Sequence, residues 1–283
     1  ARDHFGIRPL FFSNDATKNR FTFGSDIRGF KIFDFKKQID SEELARIHLT
    51  WSTSNNRTIW KNIHQVEPGS YLEISNQSDK INKFTSRKYF KIESLISDQN
   101  KRNDIKLDKE SLVEFREQFS SAVKRQIMSD VGYVSYLSGG IDSSVIAYEL
   151  SKINKQLSTF SINFEDSNYD ESPNQEILVS HLNTKHYSKS ISDSDIGNNF
   201  NFATTQIQQP FFRTAPIPLM LLAKLIKSSS NKVAITGEGA DEILLGYDIF
   251  RENICVNFVK DNPSSKWRYK VFDNLYSYLP QYK

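Results

Sequence analysis

A short run of small and acidic residues, Leu-Ser-Gly-Gly-Ile-Asp-Ser-Ser at positions 137–144, follows apolar and aromatic residues and precedes an amphipathic stretch. Gly139 and Gly140 allow the backbone to adopt conformations that other residues avoid and to approach a ligand closely. Free N–H groups at the start of a helix attract anions, and Ser138 and Ser143 add hydroxyl donors. The run therefore predicts a cradle for a pyrophosphate group.

Asp142 adds a carboxylate next to this predicted phosphate site. Its charge would repel the phosphates unless a metal ion bridged them, and Mg²⁺ is the natural ion for phosphate and carboxylate oxygens. The run lacks the lysine of a Walker A loop and does not match the dinucleotide-binding Gly-x-Gly-x-x-Gly pattern. The alternative interpretation is a structural turn in which the serines cap a helix.

A second glycine turn, Gly-Glu-Gly-Ala-Asp-Glu at 237–242, follows a predicted strand at 232–236. The carboxyl ends of parallel strands meet at one edge of a sheet, so we expect the two turns to lie side by side. Asp241 would then share a metal ion with Asp142. The alternative is a solvated acidic loop, which would not need the glycines that flank Glu238.

The elements that must hold these turns alternate between strand and helix from residue 108 onwards. Such alternation is typical of a parallel sheet with helices on both faces. Asp108 is a plausible N-cap for the first of these helices. The predicted elements are a helix carrying Leu112, Phe115, Phe119 and Val123, a strand ending at Leu137, a helix carrying Val145, Ile146 and Leu150, a strand at 157–164, helices at 174–182 and 215–228, and a strand at 232–236.

The region before residue 108 has a different pattern, with short strand candidates separated by turn-forming residues. The candidates are strands at 10–12, 20–24 and 70–74 and a helix at 41–49. Residues 76–107 are polar and are interpreted as a linker. Because the chain opens without Met in strand-like sequence, we expect 1–75 to be the end of a longer domain. We also expect the domain at 108–283 to be truncated at its C-terminus.

The composition is ordinary for a globular protein and narrows the classes of partner. The net charge is only +3, and no block of lysine and arginine suggests binding to nucleic acid. No apolar run approaches the roughly 20 residues that a membrane span needs. The single cysteine, Cys255, is compatible with a reducing compartment, so we expect a cytoplasmic protein in which Cys255 is a buried structural thiol.

With the two turns placed, the chain resembles the glutamine-dependent asparagine synthetases along nearly all its length. Residues 2–10, 23–27 and 66–71 resemble the last third of that family's glutaminase domain. Residues 137–144 resemble its pyrophosphate loop, and 236–247 resemble its second signature. The resemblance implies an α/β fold at 108–283, a parallel-sheet, adenine nucleotide α-hydrolase-like domain of the PP-loop ATP pyrophosphatase type. It is preceded at 1–75 by an incomplete, β-rich N-terminal-nucleophile glutaminase segment.

The chemistry that the resemblance implies is an ATP-dependent amidation of aspartate. ATP activates the side-chain carboxylate as β-aspartyl-AMP and releases pyrophosphate, and ammonia from glutamine then displaces AMP to give asparagine. The expected cofactors are ATP and Mg²⁺. The expected partners are aspartate, ATP and glutamine or ammonia, without nucleic acid or membrane, and a homodimer is one assembly to be tested.

The resemblance also implies roles for individual residues, with Asp142 and Glu238 as the catalytic pair. Glu238 stands where the family has a carboxylate near the reacting acyl group, and Asp142 and Asp241 would bind the metal. Arg213 could pair with a substrate carboxylate, and Tyr247 is a weaker candidate. The remaining ATP-binding and pyrophosphate-binding residues are Leu137, Ser138, Gly139, Gly140, Ser143, Ile162, Thr236 and Gly237.

Several alternatives stay open at this stage. The family's glutaminase uses an N-terminal cysteine, whereas residue 1 is Ala and Cys255 lies after both motifs, so we do not expect this chain to hydrolyse glutamine. Related adenylating enzymes close β-lactam or lasso-peptide rings. The β-lactam-forming relatives change the glutamate at the position of Glu238, so its retention favours ammonia as nucleophile. A non-catalytic nucleotide-binding fragment is a third possibility.

Overall fold

The structure, a computed structural model, describes residues 1–33, 37–54, 56–77, 80–96 and 108–276. Within these residues, no helix combines the length and the apolar character needed to cross a lipid bilayer. In chain order the elements are β1 (Phe11–Asp15), β2 (Arg20–Gly24), α1 (Ser41–Thr50), β3 (His64–Gln65), β4 (Ser70–Gln77), β5 (Lys80–Lys88), α2 (Lys109–Gln126), β6 (Tyr133–Tyr136), α3 (Ile141–Ile153), β7 (Ser158–Phe164), α4 (Ser172–Leu182), β8 (Lys185–Ile191), α5 (Asp193–Ile207), α6 (Pro216–Ser228), β9 (Val233–Ile235), α7 (Ala240–Leu244) and α8 (Asp248–Lys260), with 3₁₀ turns at Ala16–Lys18, Ile27–Phe33, Ile92–Ile96 and Arg268–Asn274.

The chain divides into two compact units. The first unit combines Ala1–Leu112 with Ser192–Leu221, and the second combines Val113–Ile191 with Leu222–Lys283. Both units are therefore discontinuous in sequence, whereas the sequence pattern predicts one continuous domain from residue 108 onwards.

The first unit contains two small antiparallel sheets. In one of them β1 lies between β2 and β3, and in the other β4 pairs with β5. A buried cluster in this unit packs one residue of β1 against the 3₁₀ turn at Ile27–Phe33 and against the residue that precedes β3. The residues of this cluster are Phe11, Ile27, Phe30 and Ile63, with Trp60 packed against them.

The polar linker expected over 76–107 differs from the structure at β5, which pairs with β4 along its length. An antiparallel ribbon is held by backbone hydrogen bonds, and it needs no continuous apolar face. The polar sequence of β5 therefore gives little signal for a strand. Residues 97–107 of the expected linker lie outside the described residues. The other elements predicted before residue 75 appear as β1, β2, β4 and α1.

The second unit is built on a parallel sheet in the order β8-β7-β6-β9. Successive residues of β6 and β7 point to opposite faces, and each face buries an apolar cluster against helices. One cluster contains Val134, Phe160, Leu222 and Ile226, and the other contains Val123, Leu150 and Leu157. The prediction of an α/β fold with a parallel sheet covered on both faces is confirmed.

Most helices of the second unit begin where the sequence predicts. The carboxylate of Asp108 accepts a hydrogen bond from the backbone N–H of Ser111 at 2.8 Å, which confirms it as the N-cap of α2. After residue 108, four strands and helices of the structure were missed by the sequence analysis: β8, α5, α7 and α8. The edge strand β8 has the polar sequence Lys-His-Tyr-Ser-Lys-Ser-Ile, and α5 of the first unit begins with a capping box between Ser192 and Asp195. That capping box is a sequence signal that would have located α5.

A polar cluster links β7 to β8 through His186. Its Nδ1 lies 2.9 Å from the hydroxyl of Thr159, and its Nε2 lies 3.0 Å from the hydroxyl of Ser161. Both hydroxyl-bearing residues are buried. Burial lowers the pKa of His186, because the charged imidazolium is poorly solvated there.

The apolar cluster of α3 predicts a stability test. Leu150 is 0% exposed and Leu112 is 51% exposed. We expect Leu150→Ala to lower the free energy of unfolding by about 2–5 kcal/mol, since it removes buried methyl groups and leaves a cavity. Leu112→Ala is the matched control and should cost much less. Urea unfolding followed by circular dichroism measures both, and equal losses would contradict the packing described.

The His186 cluster predicts a pH dependence of stability. Because the folded-state pKa of His186 is lowered, the stability that it contributes is full above its unfolded pKa of about 6.5 and is lost as the pH falls through that value. We expect His186→Gln, which does not titrate, to lose less stability between pH 7 and pH 5 than the unmodified protein. Exposed His181→Gln is the control. The measurement is the free energy of unfolding as a function of pH. Parallel profiles for the unmodified protein and His186→Gln would contradict this prediction.

Candidate functional site

The first glycine turn joins β6 to α3. The backbone N–H of Leu137, the buried residue that follows β6, donates to the carbonyl of Phe160 at 2.9 Å and so ties the start of the turn to β7. Gly139 has φ +88°, a left-handed conformation that favours glycine. The N-cap of α3 is Gly140. Because glycine has no side chain, it forms no capping bond to the first N–H groups of the helix.

The serines of this turn hold it closed. The hydroxyls of Ser138 and Ser143 lie 2.9 Å apart, and the backbone N–H of Ser138 donates to the hydroxyl of Ser143 at 3.1 Å. The backbone N–H of Gly140 donates to the hydroxyl of Ser138 at 3.2 Å. Two hydroxyls and the start of a 13-residue helix are thus gathered in one small turn. Their donors and the helix dipole suit a phosphate group.

The second glycine turn joins β9 to α7. The hydroxyl of Thr236 accepts from the backbone N–H of Glu238 at 3.4 Å, and Gly239 starts α7 with φ +94°. Gly246 lies directly against the carboxylate of Asp241, so any side chain at that position would meet the carboxylate. The hydroxyl of Tyr247 donates to the carboxylate of Glu242 at 3.2 Å.

The two turns meet at one edge of the sheet. β6 and β9 are parallel neighbours, with Tyr133 opposite Val233. A Cβ atom on Gly237 would lie 2.8 Å from the Cβ of Asp142 and 3.0 Å from the backbone nitrogen of Ser143. The turns touch at Gly237, whose φ does not require glycine. The expectation that both turns share one edge is confirmed.

The carboxylates at this edge influence one another. Burial raises the pKa of Asp142, and the negative charges of Asp241 and Glu242 raise it further. Burial also raises the pKa of Tyr136, with a contribution from the charge of Glu238. A concentration of negative charge at the end of two strands favours a cation.

A magnesium ion at this edge would need phosphate or water ligands in addition to these carboxylates. Within the described part of the chain, no three His, Cys, Asp or Glu residues form a group that could hold a metal ion by themselves. Mg²⁺ usually binds through one or two carboxylates and takes its other ligands from phosphates and water. The carboxylates of Asp142 and Asp241 match that chemistry.

The remaining predicted residues fall into three places. Ile162 lies on β7, where its side chain packs against the cluster that contains Val134, and its carbonyl accepts a hydrogen bond from Gln175 at 3.3 Å. Arg213 belongs to the first unit, where its guanidinium lies 5.0 Å from the ring centroid of Trp51. Its predicted pairing with a substrate carboxylate stays a prediction. Cys255 is buried within α8, as expected.

Sequence reasoning missed two residues beside these turns. Tyr136 ends β6 and lies close enough to Glu238 to respond to its charge. Gln175 is buried on α4 and its side chain reaches the first turn. A polar residue on the buried face of a predicted helix would have been the signal for Gln175, because such residues need a hydrogen-bond partner.

Comparison with known proteins supports the arrangement of motifs. A sequence profile of the asparagine synthase family matches residues 114–278, and a profile of the glutamine amidotransferase domain matches residues 1–89. The first of these profiles contains both glycine turns. Together the two profiles account for most of the chain, in the order that the sequence analysis predicts.

Individual relatives agree with the profiles. Asparagine synthetase [glutamine-hydrolyzing] 1 of Bacillus subtilis is 30% identical over 93% of this chain and 40% of its own length. Asparagine synthetase 3 of the same species is 30% identical over 88% of this chain and 41% of its own. Amidase chyE of Penicillium rubens is 26% identical over 94% of this chain and 39% of its own.

This chain spans about two fifths of the length of these curated relatives. The profile match is independent of that difference in length, because it extends over more than half of the present sequence and contains both glycine turns. On this evidence the chain belongs to the asparagine synthase family.

Proposed function

We propose that the protein uses ATP to form an amide from the side-chain carboxylate of aspartate. The observation that carries the proposal is the contact between the two turns at Gly237, which brings the first turn, the proposed phosphate site, next to the carboxylates of the second. A nucleoside triphosphate needs both features, donors for its phosphates and carboxylates for its metal ion. Glutamine or free ammonia would supply the nitrogen.

The first step proposed is attack of the aspartate carboxylate on the α-phosphorus of ATP. The bond from that phosphorus to the bridging oxygen breaks, pyrophosphate leaves, and β-aspartyl-AMP forms. The N–H groups at the start of α3 and the hydroxyls of Ser138 and Ser143 would stabilise the charge on the leaving group. Mg²⁺, held by Asp142 and Asp241, would neutralise part of the charge on the phosphates.

The second step is attack of ammonia on the activated acyl carbon, with AMP as the leaving group. Ammonia must lose a proton to become an amide nitrogen, and Glu238 is the carboxylate proposed to accept it. An alternative role for Glu238 is to bind the amino group of aspartate. We further propose that Leu137, Ile162, Thr236 and Gly237 contact the adenosine and that 1–75 belongs to a glutaminase domain.

A second candidate function is amide formation on a different carboxylic acid. It is favoured by the similarity to Amidase chyE, which covers the same part of this chain as the asparagine synthetases do. The two functions share the adenylation step and differ in the acid that is activated. The two functions are distinguished by measuring which carboxylic acid triggers release of pyrophosphate from ATP.

The direct test combines a binding and a turnover measurement. Calorimetry with Mg-ATP should show binding to the unmodified chain. Addition of aspartate and ammonium should release pyrophosphate and form asparagine in equal amounts. Binding without release for aspartate, but with release for other carboxylic acids, would favour the second candidate. Absence of binding at millimolar Mg-ATP would contradict the proposal.

Removing one carboxylate should weaken the binding of the metal-bound nucleotide. We expect Asp142→Asn to weaken binding of Mg-ATP by at least about tenfold, because the loss of one charged ligand is worth about 1.4 kcal/mol or more. The exposed Asp130→Asn is the matched control and should bind like the unmodified chain. Calorimetry measures both affinities, and an unchanged affinity for Asp142→Asn would remove Asp142 from the site.

The contact between the turns gives a steric test. Gly237→Ala places a Cβ 2.8 Å from the Cβ of Asp142 and 3.0 Å from the backbone nitrogen of Ser143. These distances are too short, so the turns must move apart. We expect a loss of Mg-ATP affinity of about tenfold or more, with the circular dichroism spectrum retained. Gly132→Ala is the control, since a Cβ there would meet nothing within 4 Å. Equal affinities for the two variants would show that the spacing of the turns is not critical.

A further inference from the structure

Gln175 is a buried polar residue that the proposed chemistry does not use. It lies on α4 and its side chain is 3% exposed. Its Nε2 donates to the backbone carbonyl of Ser138 at 3.4 Å and to that of Ile162 at 3.3 Å. Ser138 belongs to the first glycine turn, the proposed pyrophosphate site, which is called the pyrophosphate turn below. Ile162 lies on the neighbouring strand β7. One amide group therefore bonds to both segments.

The start of α4, which carries Gln175, packs against the first glycine turn. A Cβ on Gly139 would lie 3.0 Å from the Cβ of Asn174, so the start of α4 packs directly against the pyrophosphate turn. The carboxylate of Asp170 accepts from the backbone N–H of Ser172 at 3.2 Å and from its hydroxyl at 2.6 Å, which fixes the start of the helix. Gln175 thus extends from a fixed helix towards the two carbonyls.

The chemistry of the amide explains why a donor is needed. Both acceptors are carbonyl oxygens, so the nitrogen of the amide must face them and the oxygen must point away. An apolar side chain of the same length would leave both carbonyls without this donor, and the amide of a buried glutamine needs such partners itself. Since the amide nitrogen carries two hydrogens, it can donate to both carbonyls at once and so links the two segments.

We propose that Gln175 is a positioning residue that sets the spacing between the pyrophosphate turn and the adenosine-binding end of β7. This inference rests on the proposed function, in which ATP contacts both segments. ATP would contact both segments at once, so its binding requires that they lie at the right distance from each other. Inorganic pyrophosphate needs only the turn. Loss of the amide should therefore weaken binding of ATP much more than binding of pyrophosphate.

The experiment measures the affinities of Mg-ATP and Mg-pyrophosphate by calorimetry for the whole chain and its variants. Gln175→Met keeps the length of the side chain and removes the donor. We expect it to weaken Mg-ATP by about five- to tenfold, the effect of one buried hydrogen bond, and to change Mg-pyrophosphate by less than about twofold. Gln126→Met, at an exposed position of α2, is the matched control and should change neither affinity.

A second variant keeps the shape of the side chain and reverses its hydrogen bonding. Gln175→Glu at pH 8 presents carboxylate oxygens to the same two carbonyls, so its loss of Mg-ATP affinity should equal or exceed that of Gln175→Met. A variant that simply misfolds would lose both ligands, and parallel losses would overturn the inference. So would unchanged Mg-ATP affinity in both variants. If the unmodified chain bound Mg-pyrophosphate but not Mg-ATP, the proposed function would fail and this inference with it.

Discussion

The parallel pairing of β6 with β9 is the constraint on which the candidate site depends. These strands are far apart in sequence, yet their pairing brings two glycine turns to the same sheet edge. The closeness is then set by Gly237, which leaves room for Asp142 where a side chain would collide with it. Glycine is used here for its size, whereas Gly139 and Gly239 are used for their positive φ. One residue type thus solves two different physical problems within a single site.

The negative charge at this edge carries an energetic cost. Burial and neighbouring carboxylates raise the pKa of Asp142, which means that its charged form is disfavoured when no cation is present. A site that served only stability would avoid such crowding, since like charges destabilise one another. A bound cation would relieve this crowding, and under the proposed function the phosphates of ATP would be further ligands of that cation. The same electrostatic feature that disfavours the charged form of Asp142 in the free protein would therefore favour binding of a cation.

Sequence reasoning succeeded where the local structure admits only a few residue types. The turns at 137–144 and 237–242 were recognisable because positive φ, close approach and anion binding admit few residue types. The edge strand β8 and the ribbon strand β5 were missed because a strand that is not buried on both faces has no continuous apolar run. Gln175 was missed for another reason, since its partners are backbone carbonyls that only the tertiary fold brings near. The contact of Arg213 with Trp51 shows a similar limit, because it joins residues that are distant in sequence, whereas the predicted role of Arg213 stays untested.

The discontinuous first unit shows how tertiary contacts override the order of the chain. Residues 192–221 lie within the segment matched by the asparagine synthase profile, yet they pack with residues 1–112. Specific contacts explain this: the indole N–H of Trp60 donates to the carbonyl of Gln208 at 3.0 Å, and the ring of Trp51 stacks on Phe212. These contacts fix the segment that carries Arg213 to the part of the chain matched by the amidotransferase profile. A boundary drawn along the sequence separates two evolutionary modules, whereas hydrogen bonds and ring contacts decide which residues form a common core.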